Sequence, residues 1–454
     1  MAASRDDDGL ELSTFGEDLS SHHDAGQQEL ARKKARVLVA SSLLQLPIWG
    51  FAMSYGVFQE YYTSEKFLKG AQSSTGVIGT TSNGVVYLSM PILFALFSQQ
   101  WARFRRTVAL CGVALSCISF VLAAFSTHVW QVIFTQGVLA ALGSALIYSP
   151  TTLSLGESYN NSNRSVAYGV VFSCKNIVGS ACPFFLQFLL NRHGFRNTML
   201  IWAAVITVSS AAAVFLIPNH VSTASREVIR PRHTPWKFLN HETFYIYSIA
   251  TLIQSSGYGI PQTYLNSYGQ EAGLLSQTSA TLLLTLFNAP GIISSTFFGY
   301  LSDNKRLPFS APAVTWMSGI CSALSAFLLW GVGPRQSMVT LTLFSITFGF
   351  FSGGYSATWG GIIKQLEREA AERNEAIDTG VVLGLFNGAR GIGYVGGGLA
   401  GVQLLKAGTA SMLGNSGYAT AYRGLIIFTG ITSVFGGWSL IWRCKNLLPL
   451  KAFR

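Results

Sequence analysis

Charge is what this chain lacks most. Of its 454 residues only 11% are Asp, Glu, Lys or Arg, against 49% apolar and 13% aromatic, and its mean hydropathy is +0.37. Water-soluble domains carry about 25% charged residues, so this composition excludes a typical cytosolic enzyme and a disordered chain alike. Cysteine is scarce too. Cys111, Cys117, Cys174, Cys182, Cys321 and Cys444 fall inside or at the edge of apolar stretches, with no CxxC pair and no Cys/His cluster. That excludes a disulfide scaffold, a zinc site and a redox motif, and no metal or cofactor is expected. The N-terminus lacks the apolar core of a cleavable signal peptide, so the first spanning helix is expected to direct insertion itself. What remains is a polytopic membrane protein.

The charge that is present is unevenly distributed. Lys and Arg number 31 against 20 Asp and Glu. A nucleic-acid footprint would gather that excess on one face or tail, yet residues 1–31 hold eight of the acids and a single base, Arg5. No nucleic-acid partner is expected; the partner is the lipid bilayer.

A spanning helix needs about 20 mainly apolar residues. Ten stretches of that length between Val37 and Trp442 contain no Asp, Glu, Lys or Arg. Two more, Ser165 to Asn191 and Thr379 to Ala407, qualify apart from Lys175 in the first and Arg390 and the terminal Lys406 in the second. The expected fold is therefore an all-α membrane protein of twelve transmembrane helices. With the N-terminus inside, the cytoplasmic segments hold twenty-one Lys and Arg and the outer ones seven, a bias that places both ends in the cytoplasm. The layout reads as a disordered acidic tail (1–36), a six-helix half (37–218), a Pro-, His- and Arg-rich linker (219–241), a second six-helix half (242–443) and a short tail (444–454). The segment Lys364 to Asp378, alternating acids and bases, is expected to form a solvated cytoplasmic helix. Asn160 and Asn163 stand in N-glycosylation sequons, but this topology puts them inside. They are predicted to stay unmodified, and a mobility shift on glycosidase treatment mapped to them would overturn the topology.

Two six-helix halves joined by a basic linker are the layout of the major facilitator superfamily, whose substrates bind between the halves near the midplane. Several stretches resemble the fungal monocarboxylate-transporter-like branch of that superfamily. In the first half they are GVFQEYY (Gly56 to Tyr62), SSTGVIGT (Ser73 to Thr80), RFRRT (Arg103 to Thr107), VWQVIFTQGVLAALGSALIYSP (Val129 to Pro150) and GFRNTMLIWA (Gly194 to Ala203). In the second, FFSGGYSATWGGIIKQLERE (Phe350 to Glu369) and DTGVVLGLFNGARGIG (Asp378 to Gly393) are similar to the same branch. The superfamily's loop motif survives after the eighth span as Gly299-Tyr300-Leu301-Ser302-Asp303 with Lys305 and Arg306; after the second span only Arg103, Arg105 and Arg106 remain. The resemblance implies that Asp303, Lys305, Arg306, Arg103, Arg105 and Arg106 gate the cytoplasmic side. The branch's acidic-Gly-Trp opening of the first helix is absent, and the arginine its members often carry in the eighth span has no counterpart around Ser294-Ser295.

Against that background two cations stand out. A charge at the bilayer centre costs at least about 2.5–3.5 kcal/mol and normally faces a cavity or a partner. Lys175 lies eleven residues beyond Arg164 and Arg390 eleven beyond Thr379, so both are about 16 Å deep, near the midplane, in equivalent helices of the two halves. No Asp or Glu lies within the twelve spans to neutralise them. Two such cations favour an anionic cargo, with Arg390 suited to bidentate carboxylate or phosphate contact. Asn176, Asn387, Tyr55, Asn83, Tyr87, Tyr258 and Trp359, together with Trp49, Gln254 and Asn288, are polar or aromatic residues at the same depth and complete the candidate site.

The expected activity is secondary transport of a small organic anion, monocarboxylate-like or larger, by alternating access in the plasma membrane, by a monomer, with protons as a candidate coupling ion. Export of a secondary metabolite or drug is the alternative, and a non-transporting nutrient sensor a minor one. The spans hold no catalytic dyad or nucleophile motif, so no enzyme is expected.

Overall fold

The computed structural model of the chain describes residues 26–65, 67–70, 74–98, 101–159, 164–217, 236–303, 310–408 and 414–442. Among these the backbone is almost wholly helical, and the β pairing consists of two isolated bridges, Lys69 with His128 and Pro334 with Ser416. The long helices are α1 (Gly26–Glu65), α2 (Gly76–Ser98), α3 (Arg105–Ala124), α4 (Val129–Ser158), α5 (Arg164–Leu216), α6 (Glu242–Glu271), α7 (Gln277–Ser302), α8 (Ala311–Val332), α9 (Met338–Glu372), α10 (Thr379–Ala407) and α11 (Arg423–Trp442). Nine of these described helices are long and apolar enough to cross a membrane; α6, rich in Tyr, Ser, Gln and Asn, and α10, rich in glycine, are not among them.

Helix starts and breaks follow local chemistry. Asp378 caps α10, its carboxylate accepting from the amides of Gly380 at 2.9 Å and Val381 at 3.3 Å, which satisfies donors with no partner inside the helix. Proline interrupts the hydrogen-bond ladder in α2 (Pro91), α4 (Pro150), α5 (Pro183) and α6 (Pro261), where kinks are expected. Within α5, the fifty residues from Ala167 to Leu216 are two helices meeting at a break, since one straight helix of that length would measure about 75 Å. The chain turns at Gly194, where φ +70° and ψ 176° define a backbone that only glycine adopts without strain. The first helix begins at Gly26 rather than Val37, inside the segment expected to be disordered; Glu29 and Lys33, one turn apart, pair at 2.7 Å on its exposed face.

Large apolar side chains are exposed as well as buried. Val208 and Val339 are each 70% exposed, whereas Gln136 and Thr315 are fully buried. Buried polar groups are paired between helices, as in Tyr62 Oη donating to Gln136 Oε1 at 2.8 Å and Asn288 Nδ2 donating to the Gly179 carbonyl at 3.0 Å. Apolar faces outward and hydrogen bonds made between helices are what a hydrocarbon solvent selects. At the head of α6, buried His241 sits between Glu375 (Nε2, 3.0 Å) and Glu369 (Nδ1, 3.4 Å), tying that helix to the end of α9 and the loop beyond it. The segment expected to be a solvated helix is helical to Glu372 as the end of α9; it exposes Lys364, Glu367, Arg368 and Glu372 and buries Leu366 and Ala370 on its other face.

Candidate functional site

The site is set by one helix contact. Helix α10 packs along α2 and α6, and the α2 contact is tight because glycines face each other. A side chain at Gly391 would meet the Leu88 amide nitrogen at 2.5 Å and the Gly84 carbonyl oxygen at 2.7 Å. Small residues let helix backbones approach in a membrane. This approach brings Tyr87, beside Leu88, against Arg390, beside Gly391, with Cζ of the arginine 4.9 Å from the tyrosine ring centre.

Around Arg390 stand three more rings, those of Tyr394 and Tyr258 at 5.7 Å and Trp359 at 5.8 Å. Tyr394 lies one helical turn further along α10 and stacks on Tyr87 with centroids 5.8 Å apart. Each cation–π contact contributes about 0.5–2 kcal/mol, so aromatic faces stand where a counter-ion would otherwise be needed. Arg390 is buried, and its Nε has no hydrogen-bond partner. Lys175, from α5, reaches the same tyrosine from the other end: Nζ donates to Tyr87 Oη at 3.0 Å and lies 3.9 Å over the Trp49 ring. Trp49 in turn packs on Tyr87 at 5.1 Å and edge-on to Tyr148 at 5.7 Å.

The structure thus brings Lys175, Arg390, Tyr87, Tyr258, Trp359 and Trp49 together around one ring. The remaining candidates point elsewhere. Tyr55 donates from Oη to the Thr75 carbonyl and fills the space over Gly79. Asn83 donates to the Gly79 carbonyl and Asn387 to that of Leu383, each one turn back in its own helix. Asn176 packs against Gly291, Asn288 bonds the Gly179 carbonyl across the α5–α7 interface, and Gln254 donates to Ser352 Oγ at 2.9 Å. Two rings of the site, Tyr394 and Tyr148, were not among the candidates; Tyr394, four residues from Arg390, could have been found by helical spacing alone.

The gating candidates separate as well. Arg105, with its side chain buried, forms a bidentate pair with Glu157 (2.7 and 2.8 Å) and donates to the Phe97 carbonyl from Nε at 3.0 Å and Nη2 at 2.7 Å. Arg103 lies over the Phe104 ring and Arg106 over that of Phe215. Asp303 ends the helix Gly291–Asp303; Lys305 and Arg306 lie outside the described residues, as do Asn160 and Asn163. The Arg105 geometry predicts that Glu157→Gln costs about 1–3 kcal/mol, read as a lower melting temperature of the purified protein. Arg105→Lys, which cannot fork, is expected to destabilise comparably.

Among the described residues, helices long and apolar enough to cross a membrane thus enclose two cations set among aromatic rings. Comparison with known proteins identifies the family. The family model described as Major Facilitator Superfamily matches residues 38–398, and the chain belongs to that family. It is 26% identical over 319 residues to an MFS-type transporter of Gibberella moniliformis, covering 68% of this chain and 72% of that one. It is 22% identical over 391 residues to the MFS-type transporter pynF of Aspergillus niger, covering 85% of both. Monocarboxylate transporter 13 of Rattus norvegicus is 25% identical over 319 residues, 70% of this chain and 72% of that one. The protein is a membrane transporter, not an enzyme.

Proposed function

We propose that the protein is a secondary carrier of a small organic anion, working by alternating access, with Lys175 and Arg390 as its anion site and Tyr87, Tyr258 and Trp359 as the walls. The observation that carries this reading is that both cations converge on Tyr87 while no Asp or Glu stands in the spans. The site therefore offers donors and positive charge, and an anion supplies what it lacks.

Twelve spans in two halves, 37–218 and 242–443 joined by 219–241, are part of the same proposal. The nine apolar helices become ten when α5 is divided at Gly194, and α6 and α10, of 30 and 29 residues, complete twelve. The excess of Lys and Arg in alternate connections supports cytoplasmic tails (1–36 and 444–454) and a plasma-membrane orientation with both ends inside. Arg103, Arg105, Arg106, Asp303, Lys305 and Arg306 would then act at the cytoplasmic gate, the monomer being the working unit and protons the coupling ion. The test is flux in proteoliposomes: uptake of labelled monocarboxylates that neutral amides of the same acids do not compete, lost in the Arg390→Gln variant.

The ring of aromatic side chains favours a second reading, export of a larger conjugated metabolite. Cargo accumulating inside cells that lack the protein would indicate export, and cargo left in the medium would indicate uptake.

A further inference from the structure

We infer that the cargo is a dianion, an organic acid with two carboxylates, one seated at Lys175 and the other at Arg390. The inference rests on the anion-carrier reading above and narrows its substrate class.

The site contains two donor sets, not one. Lys175 meets the hydroxyl end of Tyr87 and lies 3.9 Å over Trp49. Arg390 meets the ring face of the same tyrosine and stands 5.8 Å from Trp359. Each cation therefore has its own indole, and Tyr87 stands between the two pairs. The buried donors without a partner divide the same way: Nε1 of Trp49 accompanies Lys175, while Nε1 of Trp359 and Nε of Arg390 accompany each other. These groups only donate, and each carboxylate offers about four lone-pair sites to receive them. The Tyr87 hydroxyl already accepts from Lys175.

Charge leads to the same conclusion. A monocarboxylate would pair with one cation and leave the other with aromatic faces alone. No acid stands in the spans to serve as its counter-ion. A dianion compensates both.

Full-length purified protein and proteoliposomes made from it would test this with benzoate against isophthalate and terephthalate, which share one ring and differ in the number of carboxylates. The better of the two diacids is expected to half-saturate both thermal stabilisation and flux at a concentration at least tenfold below benzoate. Lys175→Met should bring that ratio close to one, and Lys175→Arg should keep it. Equal or better binding of benzoate by the unmodified protein would overturn the inference, as would a ratio unmoved in Lys175→Met or no stabilisation by any of the three acids. The unmodified protein's ratio decides the matter even if a Lys175 variant fails to fold. If both acid classes need Arg390 but the ratio is one, only the dianion inference falls; if neither flux depends on Arg390, the anion-carrier reading falls with it.

Discussion

Arg390→Gln is expected to reduce transport by a factor between about thirty and several thousand while the protein still reaches the membrane. The range comes from the cost of truncating one partner of a buried, hydrogen-bonded charge pair, about 2–5 kcal/mol, with each 1.4 kcal/mol worth a factor of ten. The retained expression follows from the surroundings of the side chain. Arg390 is held by the faces of Tyr87, Tyr258, Tyr394 and Trp359, without a carboxylate, and its Nε is unpaired. Removing a buried charge that no opposite charge compensates relieves desolvation as well as losing cation–π attraction, so stability should change little in either direction. Arg390→Lys separates charge from geometry. It retains the cation but not the planar fork, and should fall between Gln and the original residue. Initial rates at equal protein density in the membrane fraction would measure all three, and undiminished flux in Arg390→Gln would remove the anion site.

How much of this was legible in the sequence depends on how far each feature relies on neighbours in space. The charge deficit, the excess of Lys and Arg in alternate connections and the exceptional positions of Lys175 and Arg390 all follow from one-dimensional counting, since position along a helix is sequence distance multiplied by rise. That both side chains end on one tyrosine does not. It depends on the rotation of α2, α5 and α10 about their axes, which is set by contacts such as Gly84 with Gly391. The asparagines show the limit most clearly. Asn83 and Asn387 lie in the middle of α2 and α10 by sequence distance, but each spends an amide proton on a carbonyl four residues back, a choice open to any asparagine in a helix. Aromatic depth was equally ambiguous: Tyr87 joins the cations, while Tyr55 closes a gap over Gly79. The helices α6 and α10 escape a hydropathy criterion for a related reason. Polar residues and glycines lower the hydropathy of a helix whose faces are turned towards other helices, as those of α10 are towards α2 and α6.

Two glycine substitutions only five residues apart on α10 are expected to act in opposite directions. At Gly391 an alanine Cβ would lie 2.5 Å from the Leu88 nitrogen and 2.7 Å from the Gly84 oxygen. Both are backbone atoms, so no rotamer change relieves the clash and the helices must part. Overpacking of this kind costs about 1–3 kcal/mol, and parting α2 from α10 also draws Tyr87 away from Arg390, since each sits next to a clashing position in its helix. Gly391→Ala should therefore lower both the melting temperature and transport, the latter by at least about tenfold, and Gly84→Ala, which would meet Val395 Cγ2 at 2.5 Å, should follow it. At Gly396 an added Cβ meets nothing within 4 Å, so alanine brings only its better helix propensity, about 0.5–1 kcal/mol, and should raise the melting temperature with flux unchanged. If α10 served chiefly as a flexible hinge, both substitutions would stiffen it and depress transport together. If its glycines serve close packing, only those facing α2 and α6 matter, and Gly396→Ala distinguishes the two cases because it changes backbone freedom without touching a neighbour.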